Sequence, residues 1–282
     1  MDRYVQTNGI QLHYLEHPGA EPTLVLMPGL TANAHAFDGL IEAGLSPQFR
    51  VLALDLRGRG LSDAPPTGYT MADHAADVLG LLDARGLERV VLGGHSFGGL
   101  LTLYLAAYYP ERVAKLLILD AGAELHPNTR EMLQPALARL GRTLPSWDAY
   151  LDAMRQAPYL HGWWHPTIER YYQADIQIAA DGSVRARSRP DAIAAAMDGA
   201  LNEPWWQHVQ RIQQPTLLLN ALGPYGLAGA PPLLPAEQAQ ATAAALQNAQ
   251  YGVVPGNHMT MLFGDGAVHI VDKITAFLSI NQ

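Results

Sequence analysis

Ser96 lies in a stretch whose residue types and spacing could activate a serine hydroxyl. Gly94 and Gly98 flank it two residues before and two residues after, which is the G-x-S-x-G spacing of serine nucleophiles. The short apolar run at 90–92 predicts a buried strand, and the longer apolar segment at 100–109 predicts a helix. Ser96 is therefore predicted to sit on the turn between a strand and a helix.

The proposed chemistry explains why small residues flank this serine. A nucleophile must stand clear of the sheet edge, so its backbone makes a sharp, strained turn that leaves no room for neighbouring side chains. The N-terminus of the following helix favours the negative charge that develops on a carbonyl oxygen under attack. An ordinary glycine-rich turn between a strand and a helix is the alternative interpretation.

The stretch resembles the nucleophile elbow of the α/β-hydrolase superfamily. The resemblance covers most of residues 1–120 and 213–282 and is weak between them. It implies an α/β-hydrolase fold, which is a mostly parallel sheet covered on both faces with an inserted helical lid (cap). It further implies a serine esterase or lactonase that needs no cofactor and no metal.

The resemblance also assigns the partners of Ser96. His258 follows the last predicted strand and matches the catalytic histidine of the family. The oxyanion donors are the amide of Phe97, directly after the nucleophile, and the amide of Leu30. Family members commonly carry a His-Gly pair before the latter donor, whereas this chain has Pro28-Gly29. A plain Pro-Gly turn is the alternative for that loop.

The acid of the triad departs from the usual family pattern. It commonly follows the strand that ends near Asn220, but residues 220–230 contain no Asp or Glu. Asp120 ends the strand after the elbow helix, so it should emerge at the same sheet edge as Ser96, and some family members place their acid there. Glu124 and Glu237 are the competing candidates, and Asp120 could instead only cap the start of the lid.

The elements that position these residues follow from the hydrophobic pattern. Strands alternating with helices predict a parallel sheet built from residues 1–120 and 213–282. Residues 121–212 show helical segments, many prolines and all five tryptophans, and we expect a helical lid without strands. Trp147, Trp164 and Trp205 are candidate substrate contacts, with packing inside the lid as the alternative.

Two further features receive no chemical role from the sequence. His95 lies inside the elbow, and its side chain is expected to project away from Ser96. In the loop that follows the strand at 50–54, Asp55 and Arg57 are expected to pair locally and to serve the structure only.

The composition limits the possible functions. The 282 residues are 49% hydrophobic, carry a formal net charge of −8 and include no cysteine. Disulfides and thiolate catalysis are therefore excluded, and the lack of a basic block argues against nucleic acid as a partner. Neither an apolar leader nor a membrane-spanning stretch is visible, so a cytoplasmic location without membrane association is expected.

The activity that these features favour is hydrolysis of a small-molecule carboxylic ester or lactone through an acyl-enzyme on a Ser-His-Asp triad. Acyl-homoserine lactonases and carbon–carbon bond hydrolases use the same triad. A cofactor-free dioxygenase and a ligand-binding receptor of this fold are alternatives of another class, because a fold alone does not determine function.

Overall fold

The core of the protein is an eight-stranded sheet with the strand order β1-β2-β4-β3-β5-β6-β10-β11. A computed structural model describes residues 1–279. β1 and β2 form an antiparallel hairpin, β2 also pairs antiparallel with β4, and the pairs from β4 to β11 are parallel. The strands of this sheet are β1 Asp2–Thr7, β2 Ile10–His17, β3 Leu24–Met27, β4 Val51–Leu54, β5 Val90–His95, β6 Val113–Leu119, β10 Thr216–Ala221 and β11 Ala249–Val254.

Helices connect the parallel strands, as the alternating pattern predicts. They are α1 Met71–Ala84, α2 Phe97–Tyr108, α3 Trp147–Arg155, α4 Pro166–Asp175, α5 Pro190–Leu201, α6 Trp205–Val209, α7 Ala236–Ala245 and α8 Gly264–Ser279. Shorter helical turns occupy Ala34–Phe37, Asp38–Leu40, Ile41–Leu45, Ser46–Gln48, Pro110–Arg112, Thr129–Met132, Gln134–Leu137, Pro158–Leu160 and Thr260–Leu262. None of the helices within residues 1–279 is long and apolar enough to cross a membrane.

Two hydrophobic clusters cover the two faces of the sheet. Along β3, Leu24 and Leu26 belong to one cluster, whereas Val25 and Met27 belong to the other. All four side chains are fully buried. A strand buried on both faces needs apolar residues at every position, which is why the central strands read as continuous apolar runs instead of alternating ones.

The segment between β6 and β10 is not purely helical. It contains a three-stranded antiparallel sheet of β7 Thr143–Leu144, β9 Val184–Ala186 and β8 Ile176–Ile178, in that order. The expectation that this segment lacks strands is therefore wrong. Each of these strands has only two or three residues, which is too short for a hydrophobic period to reveal.

Candidate active site

Ser96 occupies a strained turn between β5 and α2. Its backbone angles are φ 55° and ψ −118°, a conformation that costs energy for any residue other than glycine. A Cβ atom on Gly94 would lie 2.1 Å from the backbone of Gly98, and one on Gly98 would lie 1.9 Å from the Met27 carbonyl oxygen. Only glycine fits either position, which is the physical reason for the spacing seen in the sequence.

The structure brings Ser96, His258 and Asp120 together at the carboxyl edge of the sheet. His258 Nε2 lies 2.9 Å from Ser96 Oγ, and His258 Nδ1 lies 2.6 Å from Asp120 Oδ2. Both distances are within the range in which a base can take a proton from a nucleophile and be held by a carboxylate. Glu237, a competing candidate acid, lies in the first turn of α7.

Asp120 is held from three directions. Its other carboxylate oxygen, Oδ1, accepts hydrogen bonds from Asn220 Nδ2 at 2.7 Å and from the Ala221 amide at 2.8 Å. The residue is 2% exposed, and its φ of 53° lies in the left-handed region. A buried carboxylate whose two oxygens are both hydrogen-bonded keeps one orientation toward the histidine.

Contacts with the main chain fix the loop that carries His258. His95 Nε2 lies 2.7 Å from the His258 carbonyl oxygen, and the centroids of the two imidazole rings lie 4.5 Å apart. Asn257 Nδ2 donates to the carbonyl oxygens of Tyr159 at 2.8 Å and Pro224 at 3.0 Å. His95 was expected only to project away from Ser96, and its ring packs against His258, the residue that contacts Ser96 Oγ.

Burial determines the charge of His95. Removal from water, and next the proximity of His258, lower the pKa of His95 well below its usual value. The neutral ring carries one proton, and a hydrogen bond to a carbonyl oxygen requires that proton on Nε2. His95 therefore supports the His258 loop as a donor without adding a positive charge beside it.

The Leu30 amide comes from the loop after β3, and the Phe97 amide is the first of α2, directly after Ser96. Neither amide donates a hydrogen bond to another protein group in the part of the chain that the structure describes. Asp55 fixes the loop that carries Leu30, since its Oδ1 accepts from the Ala34 amide at 2.7 Å. Two amide donors without a protein acceptor, next to a serine hydroxyl, are the groups that form an oxyanion hole.

Arg59 contacts both Leu30 and Phe97. The sequence pattern did not reveal this link. Its Nε donates to the Leu30 carbonyl oxygen at 2.9 Å, and its guanidinium lies over the Phe97 ring at 5.1 Å. Nη1 donates to the Arg57 carbonyl oxygen at 2.6 Å and to His74 Nε2 at 2.9 Å. The residue is 1% exposed, and burial lowers its pKa to about 9, so it remains a cation at neutral pH.

The local pairing expected for Asp55 and Arg57 is also wrong. Arg57 binds Asp77 through two contacts of 2.6 Å, while Asp55 Oδ2 lies 2.7 Å from His13 Nδ1. Both residues still anchor the loop, but each does so by reaching another part of the core. The closeness of Asp55 and Arg57 in the sequence favoured a local pair. Their actual partners, His13 and Asp77, lie on other elements, and the sequence pattern does not show that these elements are neighbours.

A cavity with two chemically different lobes opens around Ser96. Leu30, Leu133, Ser96 and His258 line both lobes. The side chains that distinguish the tyrosine lobe are Arg139, Tyr159, Tyr171, Tyr172 and Tyr225. Those that distinguish the aliphatic lobe are Leu100, Leu125, Met197, Leu201, Leu233 and Leu234. The tyrosine lobe also has the apolar side chains of Leu137, Met259 and Leu262. A carbonyl compound centred on Ser96 would therefore meet hydroxyl groups and apolar groups on one side, and mainly apolar groups on the other.

The three tryptophans singled out from the sequence lie elsewhere. Trp147 and Trp164 pack at the edge of the hydrophobic core, with Trp164 stacked on Tyr172. Trp205 is buried and donates its indole hydrogen bond to the Ala200 carbonyl oxygen at 2.7 Å. Within residues 1–279 none of the three is among the side chains that line either lobe, so the geometry favours a packing role.

Comparison with known proteins places the fold in a family. The family model described as alpha/beta hydrolase fold matches residues 22–265. The crystal structure of E-2-(acetamidomethylene)succinate hydrolase superimposes with a TM-score of 0.85 at 24% identity, covering 99% of this chain and 98% of that one.

Two of the sequence relatives carry the names of hydrolytic enzymes. The chain is 33% identical over 216 residues to the putative carbamate hydrolase RutD of Variovorax paradoxus, covering 69% of this chain and 80% of that protein. It is 28% identical over 215 residues to the N-formylmaleamate deformylase of Pseudomonas putida, covering 71% and 80% respectively. On the family match and the first of these relatives, the chain belongs to the α/β-hydrolase fold family.

Proposed function

We propose that the protein is a serine hydrolase that cleaves a small-molecule carboxylic ester or lactone through an acyl-enzyme. Ser96 Oγ attacks the carbonyl carbon while His258 takes the hydroxyl proton. The observation that carries this proposal is the hydrogen-bonded chain from Ser96 to His258 to Asp120, with distances of 2.9 and 2.6 Å. A serine hydroxyl is a weak nucleophile without such a base.

The other groups have roles that follow from charge. The amides of Leu30 and Phe97 hydrogen-bond to the carbonyl oxygen when it becomes an oxyanion. His258 then returns its proton to the leaving alcohol, and the carbon–oxygen bond of the ester breaks. Asp120 keeps the imidazole in the required tautomer and stabilises its cation. Water, activated by the same histidine, attacks the acyl-enzyme and regenerates the Ser96 hydroxyl.

A second candidate activity is cleavage of a carbon–nitrogen bond in an amide or carbamate. The observation that favours it is the likeness to relatives named as a carbamate hydrolase and a deformylase. The same triad serves both reactions, since His258 can protonate a leaving nitrogen in the same geometry as a leaving oxygen. The two activities are distinguished by comparing kcat/KM for an ester and for an amide that carry the same acyl group.

The proposal is tested by covalent labelling and by turnover. A fluorophosphonate should add one adduct mass to the wild-type protein, located at Ser96 by peptide mapping. Ser96→Ala should take up no label and lose activity, whereas the matched control Ser46→Ala should behave as wild type. Ser46 lies in a surface turn, where its hydroxyl bonds to the Pro18 carbonyl oxygen. Labelling or turnover that survives in Ser96→Ala would contradict the proposal.

The alternatives of another class give different results in the same assays. A ligand-binding receptor would slowly release at most one product molecule per protein molecule, whereas a hydrolase would form product continuously. A cofactor-free dioxygenase would lose its activity without oxygen, and a hydrolase would keep it.

A further inference from the structure

Tyr225 presents a hydroxyl that the protein itself does not use. The residue is 7% exposed and lines the tyrosine lobe. Its hydroxyl makes no hydrogen bond to any residue in 1–279, yet it is not among the polar side-chain atoms sealed away without a partner. A buried donor that faces a cavity and lacks a protein partner costs free energy unless water or a ligand satisfies it.

The ring of Tyr225 is held firmly beside the triad. It stacks on Tyr159 with centroids 5.3 Å apart and meets the His258 ring edge-on at 5.5 Å. The hydroxyl therefore belongs to a ring that is packed against the imidazole, and it cannot swing away to find another partner. Burial raises the pKa of Tyr225 well above its usual value, so this hydroxyl stays protonated and can donate.

Arg139, Tyr159 and Tyr172 in the tyrosine lobe already have protein partners. The hydroxyls of Tyr159 and Tyr172 lie 3.3 Å apart. Arg139 donates to the Asp175 carboxylate at 2.6 Å and to the Thr31 carbonyl oxygen at 2.8 Å. The charge of Arg139 is thus balanced by a carboxylate. The ring of Tyr171 packs on Tyr172 and Phe263, whereas the ring of Tyr225 contacts His258, so the Tyr225 hydroxyl is the donor carried beside the His258 imidazole.

The opposite lobe adds one hydroxyl in residues 1–279, that of Thr129, which already donates to the His126 carbonyl oxygen at 2.6 Å. The side chains that distinguish this lobe are leucines and a methionine, and such a surface favours an apolar group by roughly 25 cal/mol per Å² buried. A substrate that fills both lobes should therefore carry a hydrogen-bond acceptor at one end and an apolar group at the other. The scissile carbonyl lies between the ends, at Ser96.

We propose that Tyr225 sets substrate specificity by donating a hydrogen bond to an oxygen acceptor on one arm of the substrate, while the other arm is apolar and fills the aliphatic lobe. This inference rests on the proposed hydrolase function and names the substrate class of the same site. The acceptor is an uncharged carbonyl or ether oxygen or a carboxylate oxygen, all of which a neutral hydroxyl can serve.

The test uses matched esters that differ only in that arm. One carries an alkyl arm, one has a ketone oxygen within the arm, and one ends in a carboxylate. Each is made with the variable arm on the acyl side and on the alcohol side, because both lobes adjoin Ser96. The quantity compared is kcat/KM for each acceptor ester divided by kcat/KM for its alkyl counterpart.

In the wild type, at least one acceptor ester should exceed its alkyl counterpart by about tenfold, the order of discrimination that one hydrogen bond provides. Tyr225→Phe should abolish that advantage, so that the ratio of kcat/KM for the acceptor ester to kcat/KM for its alkyl counterpart falls to about one, since the ring and its stacking remain. The ketone and carboxylate esters show which kind of acceptor is preferred.

Tyr104→Phe is the matched control, because Tyr104 lies on α2 against Tyr108 and His208, outside both lobes. It should keep the wild-type ratios, and thermal unfolding of both variants verifies the fold. The inference is overturned if none of the acceptor esters shows an advantage, or if the advantage survives in Tyr225→Phe. If no ester is cleaved, or if cleavage survives in Ser96→Ala, the proposed hydrolase function fails instead.

Discussion

The side-chain amide of Asn220 donates to Asp120 Oδ1 over 2.7 Å. Asn220 lies near the end of the strand after which family members commonly carry their acid, so here that strand supplies a donor and the neighbouring strand supplies the carboxylate. Asn220 is itself oriented, because its Nδ2 also donates to the Leu234 carbonyl oxygen and its Oδ1 accepts from the Tyr251 hydroxyl. The proposed acid and the group that orients it are therefore separate residues at the ends of adjacent strands.

Asn220→Ala should lower kcat by about tenfold, because a hydrogen bond to a charged group contributes roughly 1.5–3 kcal/mol and part of it is replaced by water. Steady-state kinetics on an ester measure the change. Tyr251→Phe is the matched control, since it removes only the bond that orients Asn220, and its effect should be smaller. Equal kcat in wild type and Asn220→Ala would show that the donor has no part in catalysis.

Arg59→Met should lower kcat by about ten- to a hundredfold and change KM by less. The substitution removes the bond to the Leu30 carbonyl oxygen and the cation over the Phe97 ring, and thereby loosens both amides proposed to hold the oxyanion. Kinetic constants and circular dichroism are measured together. Arg189→Met, on an exposed surface, is the control and should match the wild type. A change confined to KM would contradict this role for Arg59.

Sequence reasoning located Ser96, His258 and Asp120 in places where the structure brings them into contact. It succeeded because parallel strands end at one sheet edge, so residues that follow them meet there. It missed Arg59 and Tyr225, whose neighbours are determined by packing between distant segments. A lone arginine or tyrosine has no period or spacing that reveals such contacts.

The short strands of the inserted segment and the packing of His95 against His258 were missed for related reasons. Two- and three-residue strands carry no hydrophobic period. The direction of the His95 side chain depends on the loop around His258, which lies 163 positions away in the chain. The main sheet was easier to predict because its buried runs are long and regularly spaced.

The free energy of unfolding should fall as the pH drops below about 6.5. Burial lowers the pKa of His74 and His95 well below the usual value in the folded state, so below the unfolded pKa of about 6.5 only the unfolded chain takes up these protons. Their contribution to stability is fully present above that pH. Each histidine then contributes a slope of about 1.4 kcal/mol per pH unit.

Urea unfolding of the wild type and His95→Gln at pH 7.5 and 5.5 (about one unit on either side of the unfolded pKa) measures this effect. The glutamine amide can still donate to the His258 carbonyl oxygen, and it does not titrate. The variant should therefore lose less stability between the two pH values than the wild type does. His269→Gln, on the exposed face of α8, should keep the wild-type dependence. Identical slopes in wild type and His95→Gln would show that His95 is not buried in its neutral form.

Met197→Trp should lower kcat/KM for a long-chain ester by more than about tenfold and leave an acetate ester within a few fold. Met197 lines the aliphatic lobe, and a larger side chain there excludes an apolar arm of the substrate. Trp147→Ala, Trp164→Ala and Trp205→Ala should change the chain-length profile less, because those side chains pack away from the lobes. If any of these tryptophan variants changes the chain-length profile more than Met197→Trp does, that tryptophan contacts the substrate.

The most direct test of the proposed mechanism is the kcat of Asp120→Asn measured beside Glu124→Gln and Glu237→Gln. The asparagine side chain of the first variant keeps the shape of the aspartate but cannot hold the imidazole in the required tautomer, so kcat should fall by about three to four orders of magnitude. Both glutamate variants should stay near the wild-type value. An Asp120→Asn enzyme that keeps more than about a tenth of wild-type kcat, while either glutamate variant is inactive, would contradict the triad of Ser96, His258 and Asp120.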